Sequence, residues 1–438
     1  MAFKLNDCQE KAIRALISFL LDPNQHEYVL EGYAGTGKTT LISHFLANLD
    51  KYQESYELLG HKWPTFEKTA ITATTRKAAR VLAETMDIEP LTIHSHLGLI
   101  LRNNWGDGTT SLELSGKAEQ LSNQFIIIDE ASFIDDELKN YINYLAGDCK
   151  VLYMGDPAQL ISVNAEKSPI FDAGIPTVRL KTVMRNNGTI SELAKQYRET
   201  VESGIFKPPI TDGYAVKHVT PEEFEDDICN TFRHHKFVPD KSAKVVAWTN
   251  NRVSAYNAFI RECRGVSEMI TEGETLITNK PIMESNSEMV CYGTDVPVKV
   301  KNVTLTHMEG IQGYMVDLEK RKDLFVPIER WRVNVLMKRL AKEKKWKEYF
   351  HVKDQWGDLR PAYASTVHKS QGSTYDKVFI DLTDIGTCEE ADAVARLLYV
   401  AVSRPSTQIV MCGELPPRWL GQEPIDVKSA LTQSLLES

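Results

Sequence analysis

The sequence predicts an α/β protein with two parallel-sheet lobes. Short apolar runs, typical of buried parallel strands, recur in both halves of the chain. In the N-terminal half they cover 28–31, 125–129 and 151–156, and in the C-terminal half 244–251, 377–382 and 407–413. The 438 residues suit two to four domains, because a single core stops growing at roughly 250 to 300 residues.

The first apolar run leads into a phosphate loop. Residues 32–39 match G-x-x-x-x-G-K-[ST] and stand between a predicted strand over 28–31 and a predicted helix over 41–49. Glycines let backbone N–H groups surround phosphates, Lys38 reaches their outer oxygens, and the Thr39 hydroxyl ligates magnesium. The chain is therefore predicted to bind a nucleoside triphosphate.

Two further motifs in the N-terminal half complete a nucleotide site. FIIIDEAS at 125–132 ends a buried strand in paired acids, where Asp129 is predicted to hold magnesium through water and Glu130 to polarise the attacking water. In GDPAQL at 155–160, Gln159 lies just past a strand end. A neutral amide there can hydrogen-bond the terminal phosphate and sense its loss.

The second predicted sheet lacks a phosphate loop but carries candidate arginines. LLYVAVSRP at 397–405 has helix-like apolar spacing that leads to Arg404, and LKTVMRNN contains Arg185. An arginine from a second lobe can stabilise the charge that develops on the terminal phosphate. Each could instead be a surface cation.

Composition narrows the class of protein. The net charge of −9 by itself argues against a polyanionic partner, although the distribution of charge can override the total. The seven cysteines are odd in number and form no C-x-x-C pair, so neither a disulfide framework nor a zinc site is predicted, and a reducing cytoplasm fits. No targeting segment or membrane span is visible.

One segment is strongly basic. Residues 331–353 carry eight Lys or Arg against two Glu, interleaved with four aromatic residues. Basic groups neutralise phosphates and aromatic faces stack bases, so the mixture suits a nucleic-acid surface. A solvated helix face is the alternative.

The motifs in their order resemble superfamily 1 DNA helicases, specifically the RecD-like 1B branch. The resemblance rests on GYAGTGKTT, TATTRKAAR, TIHSHLGL, IIIDEAS, GDPAQL, LKTVMRN, VVAWTNN, YASTVHKSQG and YVAVSRP. The compact length and motif wording look closest to the Dda helicases of tailed bacteriophages.

The resemblance implies two RecA-like lobes with a small β-hairpin insertion, the pin, and an SH3-like β-barrel insertion carrying a helical arm. The implied domains are lobe 1A at 1–96 and 120–176, pin 1B at 97–119, lobe 2A at 177–262 and 360–438, and domain 2B at 263–359.

The resemblance also implies roles at the nucleotide. Gln9 would read the adenine edge, and ATP with Mg²⁺ would be bound by Gln9, Gly32, Ala34, Gly35, Thr36, Gly37, Lys38, Thr39, Thr40, Asp129 and Gly372. Thr39 and Asp129 would hold the metal. The implied catalytic residues are Lys38, Glu130, Gln159, Arg185 and Arg404.

A second set of residues is implied to contact single-stranded DNA. It comprises Thr74, Thr75, Arg76, Thr92, His94, Trp105, Thr249, Asn250, Thr366, His368 and Lys369. For the two histidines the alternative is packing under loops.

The pin is also visible in the sequence. Two alternating apolar runs flank N-N-W-G-D-G, which predicts a β-hairpin with its turn near 104–108. Trp105 is at the tip. It could stack on the last base pair as a wedge, or its indole could fold back onto the first lobe.

The expected activity is ATP-dependent translocation on single-stranded DNA, 5′ to 3′ in the 1B branch, with duplex unwinding in replication or recombination. Expected partners are single-stranded and fork DNA, with a single-strand binding protein as a candidate. A monomer in the cytoplasm, that of the host cell if the protein is phage-encoded, is expected, without membrane attachment. The alternatives are a DNA-stimulated ATPase that remodels or strips nucleoprotein without processive unwinding, and an RNA-directed motor.

Overall fold

A five-stranded, all-parallel sheet forms the core of the N-terminal part of the chain. The computed structural model describes residues 5–116, 118–160, 168–182, 188–234, 236–238, 241–267, 269–285 and 289–419. Up to residue 180 the elements are α1 (Asp7–Leu21), β1 (Glu27–Gly32), α2 (Lys38–Ala47), α3 (Leu49–Leu58), β2 (Lys68–Ala73), α4 (Arg76–Met86), α5 (Ile93–His96), β3 (Leu99–Asn103), β4 (Thr110–Leu114), β5 (Ser122–Asp129), α6 (Asp136–Leu145), β6 (Asp148–Gly155) and β7 (Thr177–Leu180). The strand order is β2-β5-β6-β1-β7.

Helices cover both faces of this first sheet, which explains its apolar strands. Along β5, Ile127 packs in one core with residues of α1 and α2, whereas Ile126 and Ile128 pack in another with residues of α6. Alternate residues of a strand point to opposite faces, so one apolar run supplies both cores.

The predicted strand over 28–31 is confirmed as β1. The predicted helix over 41–49 is α2, which begins earlier, at Lys38, because Gly37 caps it in the left-handed region at φ 79°. One domain boundary is wrong: β7, assigned to the second lobe from residue 177, pairs with β1, with Val29 opposite Thr177. The first sheet therefore extends to Leu180.

The rest of the chain forms a second lobe with an insertion. Its elements are α7 (Thr189–Ser203), β8 (Val216–Val219), α8 (Pro221–Arg233), β9 (Ala243–Ala247), α9 (Asn250–Cys263), β10 (Thr275–Thr278), β11 (Ile282–Met283), β12 (Val290–Tyr292), β13 (Pro297–Lys299), β14 (Asn302–Met308), β15 (Ile311–Asp317), β16 (Leu324–Pro327), α10 (Arg330–Lys342), α11 (Trp346–Phe350), β17 (Leu359–Arg360), β18 (Ala364–Thr366), α12 (Val367–Ser370), β19 (Tyr375–Asp381), α13 (Leu382–Ile385), α14 (Ala391–Val402) and β20 (Pro405–Cys412).

The second sheet is also five-stranded and parallel, in the order β18-β9-β19-β20-β8. The three apolar runs predicted in this half are confirmed as β9, β19 and β20. Two parallel sheets covered by helices give the predicted pair of RecA-like lobes.

A disulfide joins Cys229 of α8 to Cys263 of α9. The count and spacing of the cysteines did not predict it, because the pair is separated by 34 residues and meets only when the two helices pack together. The other described cysteines are free.

The insertion between α9 and β18 is built from small antiparallel sheets and a helical arm. Its sheets are β14-β15-β16, β13-β10-β17 and the pair β11-β12, and the arm is α10 with α11. A separate hairpin in the first lobe is formed by β3 and β4, with Asn103 opposite Thr110. The residues that connect its strands include 104–108, where the sequence predicted the turn. Within the described residues, every helix is too short or too polar to span a bilayer.

Candidate active site and nucleic-acid interface

The phosphate loop connects β1 to α2. Gly35 and Gly37 have φ of 78° and 79°, a region that favours glycine, and they direct the loop into the start of α2. The Lys38 Nζ donates hydrogen bonds to the carbonyl oxygens of Gly32 at 2.6 Å and Tyr33 at 3.3 Å. The loop and its lysine therefore form a preorganised site for phosphate.

Gln9 lies beside this loop although it is far away in the sequence. It is 2% exposed, its Oε1 accepts the backbone N–H of Asn6 at 3.1 Å, and its Nε2 is 3.5 Å from where a Cβ on Gly37 would stand. The capping box at the start of α1 thus orients the Gln9 amide toward the loop.

The two acids stand at the end of β5, at the carboxyl edge of the sheet: Asp129 is its last residue and Glu130 follows it. The Glu130 N–H donates to the Asp129 Oδ1 at 2.9 Å, and Glu130 has a φ of 53°, which is strained for a residue with a side chain. Burial and the neighbouring Glu130 charge raise the pKa of Asp129 to about 6, while the Lys38 charge opposes the shift. A cation placed here would relieve the repulsion between the two carboxylates.

A pocket of about 240 Å³ brings these groups together with the second lobe. It is lined by Ala34, Gly35, Thr36, Gly37, Lys38, Thr39, Thr40, Ala78, Val81, Thr85, Asp129, Glu130, Gln159, Gly372 and Arg404. Gly372 and Arg404 come from the second lobe, and the rest from the first. Arg185 lies outside the described residues.

Arg404 is buried at this pocket. It is 3% exposed, and its Nε donates to the carbonyl oxygen of Val400 at 3.0 Å and to the Ser403 Oγ at 3.2 Å. Burial lowers the pKa of Arg404, and the negative charge of Glu130 opposes that effect. The cation therefore gains from anionic charge in the pocket.

The sequence reasoning missed Gln371. Its Nε2 donates to the Gln159 Oε1 at 2.9 Å and approaches the Glu130 Oε2 at 3.5 Å, joining the two lobes. Its own Oε1 is buried without a hydrogen-bond partner among the described residues. The one sequence feature that could have identified Gln371 is its position directly before Gly372, at the end of the YASTVHKSQG motif.

The sequence reasoning also missed a hydrogen-bonded group of Tyr399, Asp156 and Ala34, which links the two lobes at the phosphate loop. The Tyr399 OH donates to the Asp156 Oδ2 at 2.6 Å, and the Ala34 N–H donates to both oxygens, at 2.9 Å to Asp156 and 3.0 Å to Tyr399. Burial, and then the Asp156 carboxylate, raise the pKa of Tyr399 well above its ordinary value. Both residues belong to motifs already singled out, GDPAQL and YVAVSRP.

Apart from Trp105, the residues predicted to contact DNA lie in two patches, which we call the strand face. On the first lobe, Ala73 bridges to Thr92, which places the segment at 74–76 beside the segment at 92–94. On the second, β18 pairs with β9, which places 366–369 beside 248–250. Lys77 joins the patches, since its Nζ donates to the carbonyl oxygen of Lys369.

Four of the predicted threonines share one structural role: each caps the N-terminus of a helix through its hydroxyl. Thr75 caps α4, Thr92 caps α5, Thr249 caps α9 and Thr366 caps α12. N-cap hydroxyls satisfy backbone N–H groups that the helix leaves unpaired. Each of the four segments therefore ends in a capped helix N-terminus, a type of structure that favours phosphate.

The prediction that Thr74 contacts DNA is wrong. It is buried, its hydroxyl donates to the carbonyl oxygen of Glu130 at 3.0 Å, and its N–H donates to that of Asp129 at 3.2 Å. Thr74 therefore supports the acid pair and is not available to a strand. The Thr249 hydroxyl is also committed, to the Asp384 Oδ1 at 2.7 Å.

The remaining side chains of the strand face are more accessible. Arg76 and Asn250 are exposed. Burial lowers the pKa of His94 and that of His368, and the His368 ring lies 5.4 Å from the ring of Trp248, a residue not predicted. Both histidines are therefore partly packed.

Lys369 is held by the insertion. Its Nζ donates to the carbonyl oxygen of Asn279 at 3.2 Å and pairs with the Asp295 carboxylate at 3.4 Å.

The hairpin tip rests on the helical arm. The Trp105 ring is 5.0 Å from that of Phe350 in an edge-on arrangement and stays 50% exposed. A Cβ on Gly108 would be 2.2 Å from the Trp346 ring, so the turn backbone packs directly on that indole. The alternative in which Trp105 folds back onto the first lobe is wrong, because its indole packs on Phe350 of the arm instead.

Comparison with known proteins supports the motif-based interpretation. A family model described as an AAA domain matches residues 4–205, and one described as a UvrD-like helicase C-terminal domain matches 361–412. The ATP-dependent DNA helicase dda of Enterobacteria phage T4 is 25% identical over 91% of this chain and 97% of its own. The ATP-dependent DNA helicase Pif1 of Bdellovibrio bacteriovorus is 25% identical over 86% of this chain and 81% of its own. A crystal structure of Pif1 helicase from Bacteroides in complex with ADP-AlF3 and ssDNA is 16% identical, covers 98% of both chains and has a TM-score of 0.49.

The family models and the two sequence relatives confirm the superfamily 1 class predicted from the motifs. Within that class the chain is similar to the Pif1 and Dda helicases of the 1B branch. The prediction of an ATP-dependent DNA helicase is supported accordingly.

Proposed function

We propose that the chain is an ATP-dependent DNA helicase that moves along single-stranded DNA and separates the duplex ahead of it. The observation that carries the proposal is the pocket whose walls come from both lobes: the phosphate loop and Glu130 from one, Gly372 and Arg404 from the other. A nucleotide in such a pocket favours closure of the lobes, and its hydrolysis favours their opening.

The residues of the pocket have distinct proposed roles. Lys38 and the loop amides bind the β- and γ-phosphates, and Glu130 orients and activates the attacking water. Gln159 and Arg404 approach the terminal phosphate, where Arg404 offsets charge that develops during transfer. Gln371, between Glu130 and Gln159, is placed to accept a hydrogen bond from that water through its free Oε1.

Thr39 and Asp129 are the proposed magnesium ligands. A hydroxyl and one carboxylate suit Mg²⁺, which keeps several waters and takes phosphate oxygens as further ligands. The ion would neutralise phosphate charge and also the buried carboxylate pair. The raised pKa of Asp129 fits a buried carboxylate whose ionised form would be stabilised by a bound cation.

Closure of the pocket would move the two patches of the strand face relative to each other. Alternating grip by these patches converts one hydrolysis into one step along the strand. We propose the 5′ to 3′ direction on the resemblance to the 1B branch, with action in replication or recombination. A monomer in the cytoplasm, and a single-strand binding protein as partner, remain expectations.

The hairpin β3-β4 is the proposed pin. Its tip is braced by Phe350 and Trp346, and the Asn103 Nδ2 donates to the Asp354 carboxylate at 2.7 Å. A rigid wedge can compete with base-pair stacking, worth about 1 to 3 kcal/mol per base.

We expect a Gly-Ser turn in place of 103–108 to lower the unwinding rate far more than the DNA-stimulated ATPase rate. Equal loss of both would show that the hairpin supports the fold instead.

Strand displacement on two forks tests the function. One fork carries a 5′ single-stranded tail and the other a 3′ tail, and Lys38→Ala serves as the inactive control. We expect ATP-dependent displacement only with the 5′ tail and none with the variant. Displacement only with the 3′ tail would refute the direction. DNA-stimulated ATPase activity without displacement of either would favour a nucleoprotein-remodelling ATPase.

A further inference from the structure

A second cleft shares no lining residue with the ATP pocket and lies between the start of α9 and the arm helix α10. It has a volume of about 930 Å³. Its walls include Asn250, Lys280, Arg330, Trp331, Lys353 and Arg360. Apart from Asn250, no residue of the cleft has a role implied by the motifs, and the cleft joins the second lobe to the insertion.

The cleft begins where the strand face ends. Asn250, the last residue of the second patch, also lines the cleft. Its Oδ1 accepts a hydrogen bond from the Arg360 Nη1 at 3.1 Å, and Arg360 continues the wall toward α10. A strand that leaves the second patch past Asn250 would therefore enter this cleft.

The cleft carries an excess of positive charge. Four of its lining residues are basic (Lys280, Arg330, Lys353, Arg360) and two are acidic (Glu329, Asp358). Both arginines pair with one carboxylate, that of Asp358, at 3.0 Å and 3.1 Å. Two guanidinium groups thus share a single counter-charge, which leaves them attractive to phosphate.

An exposed indole stands at the rim of the cleft. Trp331, in the first turn of α10, is 60% exposed, and the Arg332 guanidinium lies 5.3 Å from its ring centroid. Indoles are rarely left in water without a partner, and an aromatic face beside cations is the usual platform for an unpaired base. One turn later Val335 is 57% exposed but does not line the cleft.

We propose that this cleft is an additional single-stranded DNA subsite, in which a base stacks on Trp331 while its flanking phosphates meet Arg330 and Arg360. The proposal rests on the proposed function, since it extends the path of the same strand. Excess positive charge and continuity with the strand face favour a nucleic acid over an apolar peptide. Of the two interpretations left open for the basic aromatic segment at 331–353, the proposal selects a nucleic-acid surface for its first residues, at the start of α10.

The length dependence of binding tests the subsite. The affinity of the full chain for fluorescent oligo(dT) of about 5 to 20 nucleotides is measured for wild type, Trp331→Ala, Trp331→Phe and Val335→Ala. We expect Trp331→Ala to bind long oligonucleotides about 5- to 30-fold more weakly, the equivalent of one lost stack, and short ones like wild type. Trp331→Phe should recover most of the loss, and the exposed neighbour Val335→Ala should change nothing.

Several outcomes would overturn the proposal. Equal weakening for short and long oligonucleotides would mean that Trp331 acts through the fold of the arm, and unchanged binding would leave the cleft to a protein partner. Neither outcome touches the proposed helicase function. Failure of the wild-type protein to bind any single-stranded DNA would instead refute the function itself.

A measurement on the wild-type chain makes the test independent of any variant. A single 5-iodouracil is placed at successive positions of one long oligonucleotide, and the photo-adduct is mapped by mass spectrometry. We expect Trp331 to be labelled only from positions near one end of the strand. Adducts confined to the strand face, with none on Trp331 from any position, would exclude the subsite.

Discussion

The ATP pocket and the strand face are both assembled from short motifs of two lobes, but they use those motifs differently. In the pocket, side chains themselves face the substrate space: Lys38, Glu130, Gln159 and Arg404 all line it. On the strand face, four of the predicted threonines use their hydroxyls to cap helix N-termini. These side chains therefore fix the local backbone of the segments.

The proposed ligands account for this contrast. A phosphoryl transfer needs individual charges and proton acceptors at fixed points, so side-chain identity carries the chemistry. A strand of any sequence offers a repeated phosphate, for which backbone N–H groups at helix N-termini are sufficient. Substitutions in the pocket should therefore affect turnover, whereas those at the caps should affect stability and binding together.

The largest effect is expected for Glu130→Gln. Removal of the proposed general base should lower DNA-stimulated hydrolysis by about 10²- to 10⁴-fold while ATP affinity is kept. Steady-state turnover and nucleotide binding are measured in parallel. Glu137→Gln makes the same chemical change at an exposed position on α6 and should be silent. If affinity and rate fall together, Glu130 serves the metal or the fold.

Asp129→Asn should stabilise the magnesium-free protein while it abolishes turnover. Because the pKa of Asp129 is raised to about 6 from 3.8, its ionised form disfavours the folded state. This penalty is complete above about pH 6 and disappears as the pH falls toward 4. Removing this charge should therefore raise the free energy of unfolding by on the order of 1 to 3 kcal/mol.

Thermal unfolding in EDTA measures the Asp129→Asn effect. At pH 8 the midpoint should rise by about 2 to 6 °C over wild type, and the gain should shrink near pH 4.5. A gain that is independent of pH would mean that carboxylate ionisation is not its cause.

Tyr399→Phe should lower the stimulated ATPase rate by about 10-fold, because the shared hydroxyl that joins Ala34 and Asp156 is lost and a buried carboxylate loses a donor. Tyr197→Phe is the matched control, since the Tyr197 hydroxyl is buried without a hydrogen-bond partner among the described residues. Equal rates for the two variants would show that the link between the lobes is not used in turnover.

Thr75 separates capping from strand contact and should give the smallest effect. Thr75→Ala should cost about 1 kcal/mol of stability. Thr75→Asp keeps an N-cap acceptor, so stability should be retained, but its charge should repel phosphate and weaken single-stranded DNA binding by about 5-fold. Thr220→Asp, which replaces the cap of α8 outside the strand face, should leave binding intact. Unchanged binding by Thr75→Asp would place the strand elsewhere.

The parts that could be predicted from the sequence are those in which local spacing determines the chemistry. The phosphate loop, the acids after β5 and the N-N-W-G-D-G hairpin each depend on residues within a few positions of one another. Contacts between distant segments could not be predicted. Tyr399 and Asp156 are separated by 243 residues, Gln371 and Gln159 by 212, and Cys229 and Cys263 by 34.

Two errors have local physical causes. The short strand β7 alternates exposed and buried residues at the edge of its sheet, so it lacks the continuous apolar run that marked the other strands. Thr74 belongs to a threonine-rich segment in which the hydroxyls of Thr72 and Thr74 donate to backbone carbonyl oxygens, whereas that of Thr75 caps α4. The spacing of the threonines does not show which hydroxyls are committed in which way.

The pocket and the strand face bridge the same two lobes, and this has a thermodynamic consequence. Any free energy that a bound strand contributes to closing the lobes must appear in the affinity for nucleotide, and the reverse must hold equally. The factor by which single-stranded DNA tightens nucleotide binding therefore equals the factor by which nucleotide tightens DNA binding. A variant in which single-stranded DNA no longer tightens nucleotide binding at equilibrium must therefore also be one in which nucleotide no longer tightens DNA binding.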